Sequence, residues 1–350
     1  MLRLFTRKRL NNKIFAYLFA AAFLAAAMLM GISIGTVSVP AGDIIKIIWA
    51  EIFRLTPDLD PMHTNIVLNI RLPRVILAGL VGASLAIAGA AFQGLLRNPL
   101  ADPYTLGVSS GASVGAVLTL FFGISLPFAG LFTLPLFSIL FSFITIFIVL
   151  WFARKIDRSM KVETIILTGI IFSSFLGSLI SLMIALTGEE LRQIIGWLLG
   201  SVSMRGWDYI KIILPFFAIG SFLLLLNSRE LNAMSFGEER AQHIGVNVHK
   251  RKMIILIAGS ILTGAAVAVS GTIGFVGLVI PHLTRLLWGP DHVHLLPLSI
   301  FTGAGFLILA DLLARTIISP TELPIGVITA LVGAPVFGVI LMNRRSERRG

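Results

Sequence analysis

The sequence is a succession of apolar stretches, each broken from the next by a short polar or Pro/Gly-rich connection, and the first runs from Ile14 to about Ile34 without one charge. A bilayer core about 30 Å thick takes roughly 20 helical residues to cross. Lipid leaves no water for open backbone, so helices are the natural way to fill such stretches. Spans are expected at 14–34, 63–92, 107–122, 129–153, 161–186, 208–227, 251–271, 278–288, 293–315 and 325–342. Ten spans in 350 residues leave enough chain for connections, so residues 1–350 read as one transmembrane domain of an all-α polytopic protein. Composition agrees: 56% of residues are apolar and 13% charged, against about a quarter charged in a soluble protein.

Two segments fall short of a full crossing. In GEELRQIIGWLLGSVSMRGW (188–207) the apolar part is only IIGWLLG, about 10 Å of helix, and it reads as an interfacial helix on the outer side. The stretch 278–288 offers about 17 Å and contains Pro281 and His282, so a broken or half helix buried in protein is expected there.

The formal net charge of +11 could point to nucleic acid or to topology, and the positions of the charges decide. With the basic N-terminus 1–13 inside, 20 of the 28 Lys and Arg fall in inner segments: 1–13, Arg97, 154–161, 228–252, Arg285 and the basic tail 343–350. The positive-inside rule then supports the count and places both termini in the cytoplasm of a cell (inner or cytoplasmic) membrane. Counting 188–207 as a span would put the basic stretch 228–252 outside. Nucleic acid needs no place. A cleaved signal peptide is the alternative for the first span, but the run exceeds the usual 7 to 15 residue core. The absence of cysteine excludes disulfides, thiolate metal sites and cysteine nucleophiles.

AGLVGASLAIAGAAFQGLLRNPL (78–100) and AGSILTGAAVAVSGTIGFVGLVIPHL (258–283) are faintly alike. They begin five crossings apart, so the two copies would run through the membrane in opposite senses. Such an inverted repeat is a transporter feature.

The longest inner connection is SRELNAMSFGEERAQHIGVNVHKRK (228–252). Met234 to Ile244 is expected to form one short helix, with Gly245 ending it in a left-handed turn and its polar face free for a separate protein. A solvated return loop is the plainer reading. The spacing Glu239, Ala241, Gly245 fits the E-x-A-x-x-x-G core of the coupling loop in permeases of ATP-binding-cassette (ABC) importers. The chain has no G-x-x-x-x-G-K-[ST] phosphate loop.

From about residue 40 to 342 the chain resembles the FecCD-type permeases of iron-siderophore, haem and cobalamin ABC importers. The matching stretches are 71–112 (RLPRVILAGL…SSGA), the coupling loop at 228–250, GTIGFVGLVIPHLTRLL (271–287), ADLLAR (310–315) and ELPIGVITALVGAPVFGVIL (322–341). The resemblance implies a transport subunit that is not itself an enzyme and has no catalytic residues. It implies a dimer with a second copy or a paralogue, a cytoplasmic ATPase dimer carrying ATP and Mg, and an extracytoplasmic substrate-binding protein. The chain itself would bind no cofactor and no metal.

By position, Met234, Ser235, Phe236, Gly237, Glu238, Glu239, Ala241 and Gly245 match the ATPase-coupling loop. Arg71, Arg74 and Arg315 match outer-face arginines that meet acidic residues of the binding protein; interfacial snorkelling is the alternative. Gly169, Ser173, Gly177 and Ser181 recur every four residues on the fifth span, which in such permeases lines the translocation path, although close helix packing explains the same stripe. Gly107, Gly111 and Gly115 form a second stripe, read first as packing. Asp311 and Arg315 share a helix face, so a mutual pair competes with Arg315 acting on a partner. Gln93, Arg97, Asn98 and Asp102 surround an inner turn where backbone capping is expected. The histidines of DHVH (291–294) are too few for a metal site.

The expected function is ATP-driven import by alternating access, with ferric siderophore the leading substrate and cobalamin or haem the alternatives. An ion-coupled secondary transporter would need mid-membrane carboxylates or histidines; here Asp311 and Glu163 lie near span ends. An intramembrane hydrolase would need a nucleophile with a positioned base, and no such pairing is evident.

Overall fold

A computed structural model describes residues 2–35, 37–54, 60–127 and 129–347. The basic side chains of 1–12 and 343–350, which carry part of the charge argument, lie outside the described side chains. Among the described residues there is no strand.

The chain folds as α1 (Leu2–Ser33), α2 (Ala41–Phe53), α3 (Pro61–Asn65), a π turn (Ile66–Arg71), α4 (Leu72–Leu95), α5 (Val108–Phe121), α6 (Thr133–Ile156) and α7 (Val162–Leu186). It continues as α8 (Leu191–Leu198), α9 (Gly206–Leu226), α10 (Ser228–Ser235), α11 (Glu238–His243), α12 (Val248–Ser270), α13 (Val276–Trp288), α14 (His292–Thr316) and α15 (Ile325–Glu347). Seven helical stretches are long and apolar enough to cross a bilayer, and three shorter apolar ones, within α5, α13 and α15, bring the described total to the expected ten. The segment 188–207 holds the eight-residue α8, about 12 Å long, with Ile194 and Trp197 turned inward. It does not cross.

The α4 and α12 spans are mostly buried, whereas α7 and α9 expose most of their length to the surroundings. Their composition explains this. In α4 the buried run from Ala83 to Ala91 is made almost wholly of Ala, Gly, Ser, Leu and Ile. Small residues let backbones approach closely where lipid offers no hydrophobic drive to hold helices together. The clearest case is Gly89: a Cβ there would overlap the carbonyl of Gly277 in α13.

The inverted repeat is visible as architecture. Each long buried helix, α4 or α12, is followed by a return without α-helix, which after α4 includes a single 3-10 turn at Pro103–Leu106, and then by a short helix, α5 of 14 residues or α13 of 13. The two returns meet. Tyr104 Oη donates to the Ile273 carbonyl and accepts from the Ile273 N–H, both at 2.8 Å. Pro103 and the carbonyl of Leu85, halfway along α4, both lie against Gly277. Non-helical backbone is tolerated at such depth only inside protein, and here each return is packed on the other. The expected half helix at 278–288 is α13, which Phe275 opens in the left-handed region and whose inner face, including Pro281 and His282, is buried.

Candidate functional site

Two polar regions stand at opposite ends of the bundle. At one end α9 gives way to α10 and α11. Gly237, at φ +119° and ψ 146°, separates these two short helices in a conformation that side chains disfavour. Gly245, at φ +89°, turns the chain back toward α12. The expected single helix over 234–244 is therefore corrected to two, because Gly237 breaks the i→i−4 ladder.

The pair is anchored from below. Met234 and Ala241 are buried. Glu238 pairs with Lys252 of α12 at 2.7 Å, and Lys252, only 2% exposed, also donates to the Met160 carbonyl at 2.9 Å. Arg251 pairs with Glu230 at 3.1 Å. Asn232 donates to Asp291 at 2.7 Å and accepts from the His292 N–H at 2.8 Å, tying α10 to the start of α14. Above these anchors Ser235, Phe236, Glu239 and Ile244 are exposed, with Phe236 71% and Ile244 72% so. A cleft of about 420 Å³ runs beside them, lined by Arg97, Lys161, Glu163, Phe236, Glu238 and Glu239. Two large apolar side chains held among charges on a rigid base make a surface suited to a protein partner.

At the opposite end Arg74 donates to both oxygens of Asp311, at 2.9 to 3.1 Å, and to both oxygens of Glu322, at 2.7 and 3.0 Å. Arg315 Nε lies 3.8 Å from Asp311, and its guanidinium donates to the Gly31 carbonyl. Partial burial works against the charge on Glu322, but the hydrogen bonds and charge of Arg74 outweigh it and hold the carboxyl below its usual range. Arg71, 5% exposed, donates to the carbonyls of Ile32, Ser33 and Val37 at the end of α1. The chain closes over it so tightly that a Cβ on Gly35 would overlap its guanidinium.

With this geometry in view, comparisons with known proteins are decisive. The FecCD transport family matches residues 23–343. The chain belongs to the FecCD transport family. This permease is 62% identical over 352 residues to the ABC transporter permease protein YvrB of Bacillus subtilis strain 168, with 100% of this chain and 99% of the relative covered. It is 43% identical over 279 residues to the cobalamin import system permease protein BtuC of Halobacterium salinarum, covering 80% of this chain and 74% of that one. Among solved structures, a metal-chelate type ABC transporter in an inward-facing conformation superposes with a TM-score of 0.81 at 36% identity, covering 93% of this chain and 98% of that chain. This chain is thus a multi-pass permease of the ABC-importer type.

The residues expected to act fall into three groups. The coupling-loop residues come together on α10–α11, but they divide: Met234 and Ala241 form the base, Gly237 and Gly245 the turns, Glu238 an anchor, and Ser235, Phe236 and Glu239 the free surface. The three arginines do gather at one end. Arg71, however, is turned inward and donates to three backbone carbonyls, so in this structure it is not placed to meet a partner, and that expectation is corrected. Arg74 and Arg315 belong to the same cluster, their side chains 13% and 8% exposed and already beside carboxylates, of which Glu322 is the more open at 39%.

The α7 stripe also divides. A Cβ on Gly169 would overlap the Thr105 carbonyl, and Ser173 Oγ is buried, so this half packs against 105–107. Gly177 faces open space and Ser181 is exposed. The second stripe is packing, as expected: a Cβ on Gly111 or Gly115 would overlap α6.

Capping at the inner turn is present, with Asp102 accepting from the Tyr104 N–H at 3.1 Å and Asn98 from the Leu100 N–H at 2.9 Å. In DHVH, Asp291 caps the Val293 N–H at 3.0 Å and His292 Nδ1 lies 2.8 Å from Asn232, which accounts for both as structural groups. Sequence reasoning missed Arg74 with Asp311 and Glu322. Their separations of 237 and 248 residues leave no local signal, although unpaired charges near span ends invite a search for partners.

Proposed function

We propose that this permease carries a ferric siderophore across the membrane, received from an extracytoplasmic binding protein and driven by a separate ATPase dimer bound at α10–α11. ATP and Mg belong to that partner; the chain itself binds neither. The observation that carries the reading is the rigid two-helix platform whose free edge presents Phe236, Glu239 and Ile244. A loop that merely returned the chain to the membrane would have no need of the Glu238–Lys252–Met160 and Asn232–Asp291 anchors. Those anchors would let a push on α10–α11 reach α12 and α14 directly. The excess of Lys and Arg on that side supports a cytoplasmic position for it.

At the other end, Arg74 and Arg315 offer guanidinium groups to acidic residues of the binding protein, which would compete with Asp311 and Glu322 for them. Exchange between internal and external carboxylates gives the docking partner a differential grip on two states. Gly177 and Ser181 stand where a second copy or paralogue would complete the path. Likeness to a metal-chelate transporter over 93% of the chain supports a bulky metal complex as cargo. Cobalamin is the second reading, favoured by the 43% identical relative.

The test is uptake of radio-iron supplied as several ferric siderophores, with labelled cobalamin and a small oxyanion as controls, in cells with and without this gene. Loss of uptake of one siderophore on deletion supports the reading. Loss of cobalamin uptake alone moves the cargo to the second reading, and unchanged uptake of all contradicts both.

A further inference from the structure

We propose that the groove between the last turns of α6 and the first turns of α12 binds an anionic phospholipid of the leaflet at the α10–α11 end. The groove, about 670 Å³, is walled by Phe143, Phe147, Leu150, Met253 and Ile257, and is open toward the surroundings. It shares Trp151, Arg154 and His249 with a second recess of about 740 Å³ that adds Lys155 and Arg158. The apolar channel thus opens into a basic mouth.

Three observations fix the occupant. The first is length. From Phe143 to Arg154 is about 16 Å along α6, and from Ile257 to His249 about 12 Å along α12, at 1.5 Å per residue. Half of a hydrocarbon core about 30 Å thick is the same distance, so the groove accommodates acyl chain over one leaflet with its mouth at headgroup level. The second is charge. Arg154, Arg158 and His249 have no hydrogen-bond or ion-pair partner among the described residues, and Lys155 has only the Trp151 ring, 5.9 Å from its Nζ.

The acidic residue between them, Asp157, is occupied by the Ser159 hydroxyl and by the N–H groups of Ser159 and Lys161. A phosphodiester would give the two free arginines the partner the protein does not. Basic recesses between membrane helices at this level are suited to anionic headgroups. The third is chemistry within the groove: aromatic and aliphatic side chains line it, and Phe147 is 71% exposed, as expected of a surface in contact with acyl chains and not with water.

The site adjoins the coupling platform. Met160 is one of the residues lining the groove, and its carbonyl holds Lys252, the partner of Glu238. Occupancy would therefore stiffen the joint between α6, α12 and α11. That consequence rests on the proposed role of α10–α11, whereas the lipid site itself does not.

The test uses the full chain in phosphatidylcholine nanodiscs containing phosphatidylglycerol, one lipid at a time brominated near the headgroup end of its acyl chain. Tryptophan quenching is read against Trp151→Phe, so that the signal of Trp151 is isolated from the other four tryptophans. Brominated phosphatidylglycerol should quench Trp151 in preference to brominated phosphatidylcholine at equal content. The preference should fall roughly fivefold for each arginine removed in Arg154→Gln and Arg158→Gln, and Arg154→Lys should largely restore it. Equal quenching by both lipids, or none by either because protein covers the groove, overturns the proposal. So does an arginine double variant that keeps the lipid preference but no longer binds a purified ATPase subunit, which would assign the basic mouth to that protein.

Discussion

Asp311 is 1% exposed, and both its oxygens receive N–H groups from Arg74. A buried carboxylate in such a pair is tolerable only while the partner stays. Arg74→Ala should therefore destabilise the permease by about 3 to 5 kcal/mol, read as thermal unfolding in detergent, while Arg74→Ala combined with Asp311→Asn should recover part of the loss. Arg71→Ala should act differently. It releases the carbonyls of Ile32, Ser33 and Val37 and unfastens the turn after α1, lowering stability while leaving affinity for the binding protein in the folded fraction unchanged.

Glu322 supplies the pH dependence. Its carboxyl is held below the ordinary value of 4.5, so its contribution is fully present above that value and is lost as pH falls through the lower folded value. Unfolding temperature measured in acid should drop through that window, and Glu322→Gln should flatten the drop.

At the scale of elements, the two short helices α10 and α11 move as a unit because Glu238, Lys252 and Asn232 fasten them to three parts of the bundle. Lys252→Met leaves Glu238 without its partner and the Met160 carbonyl without its donor. ATPase binding should persist in this variant, whereas transport per ATP hydrolysed should fall severalfold, as read in reconstituted vesicles. Much at this scale was legible in the sequence. The seven long apolar helices and the three shorter ones sit within a few residues of the expected positions, because lipid forces each crossing to be an apolar helix. The brevity of α8 and α13 follows from the same arithmetic.

What was not legible depends on contacts between distant residues or on a single backbone angle. Gly237 reads in sequence like any tolerated glycine, and only its φ of +119° shows that it divides the coupling segment. The inward turn of Arg71 follows from the π turn Ile66–Arg71 and from Gly35, neither of which announces where a guanidinium will point. The α7 stripe is periodic throughout, yet half of it packs on residues 105–107, a loop whose path the stripe cannot reveal.

For the whole molecule, the returns of the two inverted halves are joined by a pair of hydrogen bonds between Tyr104 and the backbone of Ile273, beside the close packing of α4 on α13 at Gly89 and Gly277. Tyr104→Phe would leave both backbone groups of Ile273 short of a partner within the bundle, for about 1 to 3 kcal/mol. Because the proposed alternating access requires the halves to shift across this joint, the rate of transport should change more than binding of either partner. In the proposed mechanism the α10–α11 platform at one end and the arginine cluster at the other serve as two docking surfaces coupled through the packed core between them.

The most direct test of that coupling is ATP-dependent uptake of ferric siderophore into vesicles containing this permease with its ATPase and binding protein, comparing wild type with Glu239→Arg. The expected result is normal insertion and normal capture of the loaded binding protein, with ATPase association and uptake both lost. Uptake that survives Glu239→Arg, or that proceeds without ATP, would contradict the account.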